Sequence, residues 1–180
     1  MCKCLDAQIL LSKFKKSSNA IKLFNSLNSG NIKIVFDRPI LGKILILPRS
    51  SIEQFQNSKP WACISIGDNR QMDFPFKLSM KNCLQFLRIE FSDNEVECKF
   101  HNYELPIFNN QHAHDISNVI SPIWNVIEVL VVHCHAGISR SAAIGKAFAE
   151  YYNQPNTDLY DDLYCPNQLV YNIMKNELVK

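Results

Sequence analysis

The chain has 180 residues, of which 47% are hydrophobic and 20% are charged, a composition typical of one soluble globular domain with an ordinary core. The formal net charge of +2 at pH 7 is too small to favour a nucleic-acid-binding surface. The longest apolar run, residues 119–132, is interrupted by Ser121, Pro122, Asn125 and Glu128, so no stretch reaches the roughly 18–20 apolar residues of a membrane span.

The cysteines and the N-terminal residues indicate the cellular compartment in which the protein is expected. No basic segment followed by an apolar core and a small-residue cleavage site opens the sequence, so we expect no secretory signal and a cytoplasmic location. Seven scattered cysteines, an odd number, favour reduced thiols over a disulfide framework. The pairs Cys2–Cys4 and His112–His114 lack the second cluster that would complete a zinc site, so we predict no metal.

The first thirty residues are predicted as a helical extension. Apolar side chains recur at helical spacing through residues 7–27, with a break near Ser17 and Ser18, which indicates one helix or two short ones. We expect residues 1–30 to pack on a single domain formed by residues 31–180.

The rest of the chain alternates strand and helix signals. The predicted strands are residues 32–36, 43–47, 62–66, 83–91 and 128–134. The predicted helices are a short one from Ser50 or Ser51 to Gln56, one from His114 to about Ile127 that Pro122 disturbs, residues 141–152, and one with Pro166 in its first turn that ends at Glu177. This alternation predicts an α/β domain with a largely parallel central sheet flanked by helices on both faces. Sites in such folds lie at the carboxyl ends of the strands.

Residues 131–145, VVHCHAGISRSAAIG, carry the clearest functional signal. They lead from a strand through a small loop into a helix, and such a loop directs several backbone N–H groups and the helix dipole at one spot. Gly137 permits the turn, and Arg140 offers a planar fork that matches two oxygens of a phosphate. The pattern therefore predicts a phosphate-binding loop between a strand and a helix.

Cys134 stands at the end of that strand, where the same field stabilises a thiolate. We predict that Cys134 is a nucleophile at neutral pH, and that the hydroxyl of Ser141 bonds the sulfur and makes it a better leaving group. A buried structural thiol is the alternative, because free cysteines are often buried. That alternative leaves Gly137, Arg140 and Ser141 unexplained.

The motif of His133 and Cys134, five further residues, then Arg140 and Ser141 resembles the signature of the cysteine-dependent protein tyrosine phosphatases. The stretch from Ala136 to Ser141 is most similar to the dual-specificity branch. A looser similarity to small bacterial and viral phosphatase-like proteins runs from Trp61 onwards. It is carried by residues 64–66, 87–93, 165–167 and 170–171.

The resemblance implies that residues 31–180 are a catalytic domain that hydrolyses phosphomonoesters through a phosphocysteine, without metal or cofactor. It implies that Cys134 attacks and that Arg140 binds the phosphoryl group. The other substrate-binding positions of the loop are His135, Ala136, Gly137, Ile138 and Ser139. His133 is expected to orient the loop from behind.

Expulsion of the leaving oxygen also needs an acid. Family members carry this Asp on a loop after a strand, some tens of residues before the cysteine, and Asp93 fits because it follows the strand-like run 86–91. Where the family has adjacent acidic residues after a Phe, this chain has Ser92 and Asp93. Glu95 and Asp115 are the alternative acids, and Asp93 as an ordinary turn residue is the non-catalytic explanation.

Asn167 is expected to support the start of the last helix, and a contact with the phosphate-binding loop is a second role that the sequence leaves open.

The loop contains no lysine, whereas phosphoinositide phosphatases of this superfamily tend to carry lysines there. We therefore expect a phosphorylated protein or peptide as partner, with phosphotyrosine favoured and phosphoserine or phosphothreonine as further substrates. Four alternatives stay open: a catalytically inactive phosphate- or phosphopeptide-binding relative, a phosphatase for RNA 5′-phosphates, a phosphatase for phosphoinositides, and sulfur or arsenate chemistry on a similar loop. We predict no nucleic acid or membrane as partner, and the sequence does not predict the oligomeric state.

Overall fold

The computed structural model describes residues 43–67, 78–95, 106–155 and 164–180. The predicted N-terminal extension of residues 1–30, with its helix, and the predicted strand 32–36 lie outside the described residues. The described elements, in chain order, are β1 Ile44–Pro48, α1 Arg49–Ile52, β2 Trp61–Gly67, β3 Cys83–Glu90, α2 Asn110–Ile120, a 3-10 helix Ser121–Ile123, β4 Val129–Cys134, α3 Arg140–Tyr151 and α4 Gln168–Leu178.

The four described strands form one sheet in the order β1-β4-β2-β3, and each neighbouring pair is parallel. Pro48 is in register with Cys134, and Ser65 is in register with His133. Since the strands are parallel, their carboxyl ends lie at the same edge of the sheet. The structure thus confirms the predicted α/β domain, and the end of β4 is flanked by the ends of β1 and β2.

The two faces of the sheet carry separate apolar clusters, because successive side chains of a strand point to opposite faces. One face includes Ile46, Ile64 and Val132 and packs against helices α2, α3 and α4. The other face includes Leu47 and packs against Ile52 of α1. Helices therefore lie on both faces, as predicted.

Two helices in the first part of the chain differ from their predicted bounds. Helix α1 spans only Arg49–Ile52, and Pro48 rather than a serine precedes it, without a side-chain cap. Helix α2 begins at Asn110 rather than His114, because Asn109 and His112 cap it reciprocally: Asn109 Oδ1 accepts the His112 N–H and His112 Nδ1 accepts the Asn109 N–H.

Prolines lie near two further helix boundaries. Helix α2 ends at Ile120, and Pro122 lies in the 3-10 turn that follows, because its missing N–H interrupts the α-helical ladder. The prediction that Pro166 occupies the first turn of the last helix is wrong. Asn167 is the N-cap and α4 begins at Gln168, so Pro166 precedes the helix.

The cysteines follow the expectation of reduced thiols in part. Cys63, Cys83 and Cys134 are free, but Cys165 is disulfide-bonded, so the expectation is wrong at that position. In the described part of the chain, no helix combines the length and the apolar character needed to cross a bilayer.

Candidate active site

The loop of residues 134–140 connects β4 to α3 and turns sharply. Gly137 has a φ of +66°, and a Cβ there would lie 2.5 Å from the nitrogen of Pro48 and 2.6 Å from the carbonyl carbon of Leu47. Both the backbone conformation and the contact with β1 therefore require glycine. In this turn the Gly137 N–H donates to Sγ of Cys134 over 3.3 Å.

The sulfur of Cys134 has a second hydrogen-bond partner in Oγ of Ser141, at 3.1 Å. Cys134 is only 2% exposed and Ser141 is fully buried, whereas His135 and Ala136 beside them are exposed. The sulfur also lies near the N-terminus of α3, where the helix dipole favours negative charge. A backbone donor, a hydroxyl and a helix terminus thus lie around the sulfur.

Arg140 connects this loop with the segment after β3. Its side chain is 6% exposed, and Nη1 donates to the carbonyl oxygen of Phe91 over 2.9 Å. Its Nε lies 4.0 Å from Oδ1 of Asp93. The buried guanidinium therefore holds residues 91–95, called the 91–95 loop below, against the 134–140 loop.

Asp93 lies directly beside the 134–140 loop. Its Oδ1 accepts hydrogen bonds from Oγ of Ser139 at 2.7 Å and from Nδ2 of Asn167 at 3.2 Å. The same Nδ2 donates to the Asp93 carbonyl oxygen at 2.9 Å. The carboxylate is 46% exposed, so it remains accessible to a ligand on the loop.

The two alternative acids have other contacts. Oε1 of Glu95 accepts the backbone N–H of Gln168 over 2.8 Å. Asp115 is exposed on α2 and accepts from the Gln111 side chain over 2.8 Å, and no described contact joins it to the 134–140 loop. Of the three carboxylates, Asp93 is therefore the one that the structure brings to Ser139 and Arg140 of the 134–140 loop.

The start of α4 also reaches the 134–140 loop, which the sequence only partly indicated. The Cys165 N–H donates to the carbonyl of Ile138 over 3.1 Å, and the Asn167 N–H donates to that of Ser139 over 3.4 Å. Asn167 in addition caps α4 by accepting the Val170 N–H at 3.0 Å. The cap could be predicted from an Asn before an apolar helix, but nothing local indicated the contacts with Ser139 and Asp93.

In the part of the chain that the structure describes, no three His, Cys, Asp or Glu side chains come together as a metal site. The Gly137 N–H and the guanidinium of Arg140 are groups of this loop that suit an anionic ligand.

No protein-family model and no curated protein match the sequence. Solved structures do match. The human tyrosine phosphatase-like serine/threonine/tyrosine-interacting protein is 20% identical, with a TM-score of 0.50 over 74% of this chain and 89% of its own. Human DUSP28 is 13% identical, with a TM-score of 0.51 over 77% of this chain and 92% of its own.

Both structures belong to the cysteine-dependent phosphatase superfamily. The chain has the dual-specificity phosphatase fold. The fold that the motif around Cys134 predicted is thereby confirmed. In this phosphatase fold the 134–140 loop joins β4 to α3 at the edge of the sheet where the strands end.

His133 immediately precedes Cys134 at the end of β4. It is 1% exposed, and its pKa is lowered from 6.5 to about 4, first by burial and then by the positive charges of Arg88 and Arg49. Arg88 itself donates to Oγ of Ser65 over 2.9 Å. The sequence did not indicate that Arg88 and Arg49 act on His133. These arginines belong to β3 and α1, which are distant from His133 in sequence and come near it only in the folded domain.

This lowered pKa predicts a pH-dependent stability. The unfolded chain takes up a proton at His133 near pH 6.5, whereas the folded protein does so only near pH 4. The free energy of unfolding should therefore hold a contribution that is present above pH 6.5 and is lost as the pH falls towards 4, amounting to roughly 3 kcal/mol. Urea unfolding between about pH 4.5 and 7.5 should show a shallower pH dependence for His133→Gln than for the wild type.

His135→Gln serves as the control, since His135 is exposed and neighbours the same cysteine. It should keep the wild-type dependence of stability on pH. Parallel curves for wild type and His133→Gln would contradict the prediction.

Proposed function

We propose that this protein is a phosphomonoester hydrolase that forms a phosphocysteine at Cys134 and acts on phosphotyrosine in proteins, with phosphoserine and phosphothreonine as further substrates. One observation carries the proposal. The sulfur of Cys134 accepts the Gly137 N–H and lies 3.1 Å from Oγ of Ser141, in a loop that contains Arg140 and lies beside Asp93. A thiol in such surroundings is a nucleophile directed at a bound anion.

The first step is transfer of the phosphoryl group to sulfur. The loop N–H groups and Arg140 bind the phosphoryl oxygens and stabilise the charge of the transition state. The Cys134 thiolate attacks phosphorus in line with the leaving oxygen, an S–P bond forms and the P–O bond breaks. Asp93 gives its proton to the departing oxygen.

The second step is hydrolysis of the phosphocysteine. Asp93, now a carboxylate, takes a proton from water as the water oxygen attacks phosphorus, and the S–P bond breaks. The Ser141 hydroxyl hydrogen-bonds the departing sulfur, which supports the thiolate as a leaving group. The cycle ends with inorganic phosphate and a free thiolate.

The loop composition supports a protein substrate. His135, Ala136, Ile138 and Ser139 provide no ammonium group for the further phosphates of an inositol headgroup. The net charge of +2 gives little support for a long nucleic-acid substrate. We therefore expect phosphopeptides to be hydrolysed faster than phosphoinositides or RNA 5′-phosphates when the three are compared as substrates.

A phosphate-binding protein without turnover is the second candidate. The observation that favours it is the similarity to a human structure named tyrosine phosphatase-like. Against it stands the thiol of Cys134, which is free and lies within hydrogen-bond distance of Oγ of Ser141. Turnover of an aryl phosphate separates the two candidates.

Replacement of Cys134 by Ser should reduce hydrolysis of p-nitrophenyl phosphate at least about a thousandfold, because a neutral hydroxyl replaces the thiolate. Binding of inorganic phosphate, measured by calorimetry, should persist because the loop N–H groups and Arg140 remain. Arg140→Ala should weaken both binding and turnover. The matched control is Cys83→Ser, which removes a thiol from β3 and should keep wild-type turnover. Wild-type rates in Cys134→Ser would rule out the phosphocysteine, and phosphate binding by a wild-type protein without turnover would favour the second candidate.

Replacement of Asp93 by Asn should produce a loss that depends on the leaving group. Hydrolysis of phenyl phosphate should fall by about 10²-fold or more, because the phenoxide needs a proton, whereas p-nitrophenyl phosphate should be affected only slightly. The Asn side chain keeps an oxygen that can accept from Ser139 and Asn167, so the loop contacts persist. Asp115→Asn is the control and should match the wild type with both substrates. The acid is assigned wrongly if Asp115→Asn shows the dependence and Asp93→Asn does not.

Replacement of Ser141 by Ala should slow the breakdown of the phosphoenzyme more than its formation, since only the second step expels the thiolate. Phosphoenzyme should then accumulate after rapid quenching of a reaction with labelled substrate. The substitution removes one buried oxygen and leaves the Gly137 N–H on the sulfur. Equal slowing of both steps, without accumulation, would assign Ser141 to loop structure alone.

A further inference from the structure

The 91–95 loop is joined to the start of α4 at two adjacent residues. Nδ2 of Asn167 bonds both the carbonyl oxygen and Oδ1 of Asp93, at 2.9 and 3.2 Å. Two residues further along the loop, Oε1 of Glu95 accepts the backbone N–H of Gln168 at 2.8 Å. The first contact is made to Asp93 itself, and the second fixes the loop beyond it.

The contact of Glu95 satisfies a group that α4 cannot satisfy by itself. Gln168 is the first residue of α4, and the first N–H groups of a helix have no acceptor within the helix. Asn167 provides the acceptor for the Val170 N–H, and Glu95 provides the one for Gln168. A carboxylate is favoured at this position because the helix dipole is positive there.

The start of α4 is in turn fixed relative to Cys134. Backbone hydrogen bonds run from Cys165 to Ile138 and from Asn167 to Ser139, so this segment lies against the 134–140 loop. By bonding the Gln168 N–H, Glu95 therefore attaches the 91–95 loop to a segment that is itself bonded to the 134–140 loop, which contains Cys134. Asp93 is 46% exposed, and packing alone cannot fix its carboxylate.

We propose that Glu95 is a positioning residue, which holds Asp93 at the phosphate-binding loop by anchoring the 91–95 loop to the N–H of Gln168. The proposal rests on the proposed function, since it concerns the delivery of a proton by Asp93. It gives Glu95 a role distinct from that of the acid, because the anchor needs an acceptor oxygen at the right reach and no exchangeable proton. Glutamine has the same reach and an acceptor oxygen, whereas alanine has neither.

The test compares Glu95→Ala with Glu95→Gln on two substrates. Glu95→Ala should lower kcat for phenyl phosphate about tenfold, because the acid is held less well, and should change kcat for p-nitrophenyl phosphate by less than about twofold. Glu95→Gln should restore wild-type values with both. The control is Glu53→Ala, which removes an exposed glutamate after α1 and should leave both rates unchanged.

Three kinetic outcomes would overturn the proposal. A loss in Glu95→Gln as large as that in Glu95→Ala would make the charge or the proton of Glu95 the important property. Equal losses with both substrates would indicate general damage to the loop. Wild-type kinetics in Glu95→Ala would show that the anchor does not position the acid.

Amide hydrogen exchange tests the anchor without any turnover. Exchange at Gln168 should be about tenfold faster in Glu95→Ala than in the wild type or Glu95→Gln, because a charge-assisted hydrogen bond is lost. Exchange at Val170 should stay the same, since Asn167 still caps it. Unchanged exchange at Gln168 would overturn the proposal even in an active enzyme. Absence of Cys134-dependent turnover in the wild type would instead overturn the proposed function, and the Gln168 exchange would still decide whether Glu95 anchors the loop.

Discussion

The absence of a side chain at Gly137 is the constraint on which the site depends. The backbone turns there with a positive φ and lies so close to the end of β1 that a Cβ would overlap the backbone of Leu47 and Pro48. This contact fixes the direction in which the Gly137 N–H points, and that direction is towards the sulfur of Cys134. A bulkier residue would have to move either the loop or β1, and with it the parallel pairing of β1 with β4.

Arg140 links the 134–140 loop, which Gly137 shapes, to the 91–95 loop. In the strand order β1-β4-β2-β3, β2 separates β4 from β3, so the 134–140 and 91–95 loops are not neighbours within the sheet. The guanidinium of Arg140 bridges them through its bond to the Phe91 carbonyl, in surroundings where an unsatisfied donor would be costly. A residue expected only to bind phosphate therefore also maintains the structure, and a lysine, with a single ammonium on a flexible stem, could not replace its planar fork.

The sequence predicted the features that depend on local pattern. Strand signals located β1 to β4 within a few residues, and the motif from His133 to Ser141 located the loop between β4 and α3 because its elements are contiguous. The start of α2 was missed because its reciprocal cap uses Asn109 and His112 rather than the usual Ser or Thr with Glu. The bonds of Asn167 to Asp93 and the effect of two arginines on His133 could not be predicted, because they join residues far apart in sequence.

The place of α4 in the chain has a consequence for the nascent polypeptide. All strands of the described sheet, the 134–140 loop and α3 precede it, so these elements are synthesised before residues 164–178. Until then Asp93 lacks the amide of Asn167, and Glu95 lacks the N–H of Gln168. In the proposed mechanism, the acid would therefore gain its full set of hydrogen bonds only when the last helix of the described sequence has been synthesised.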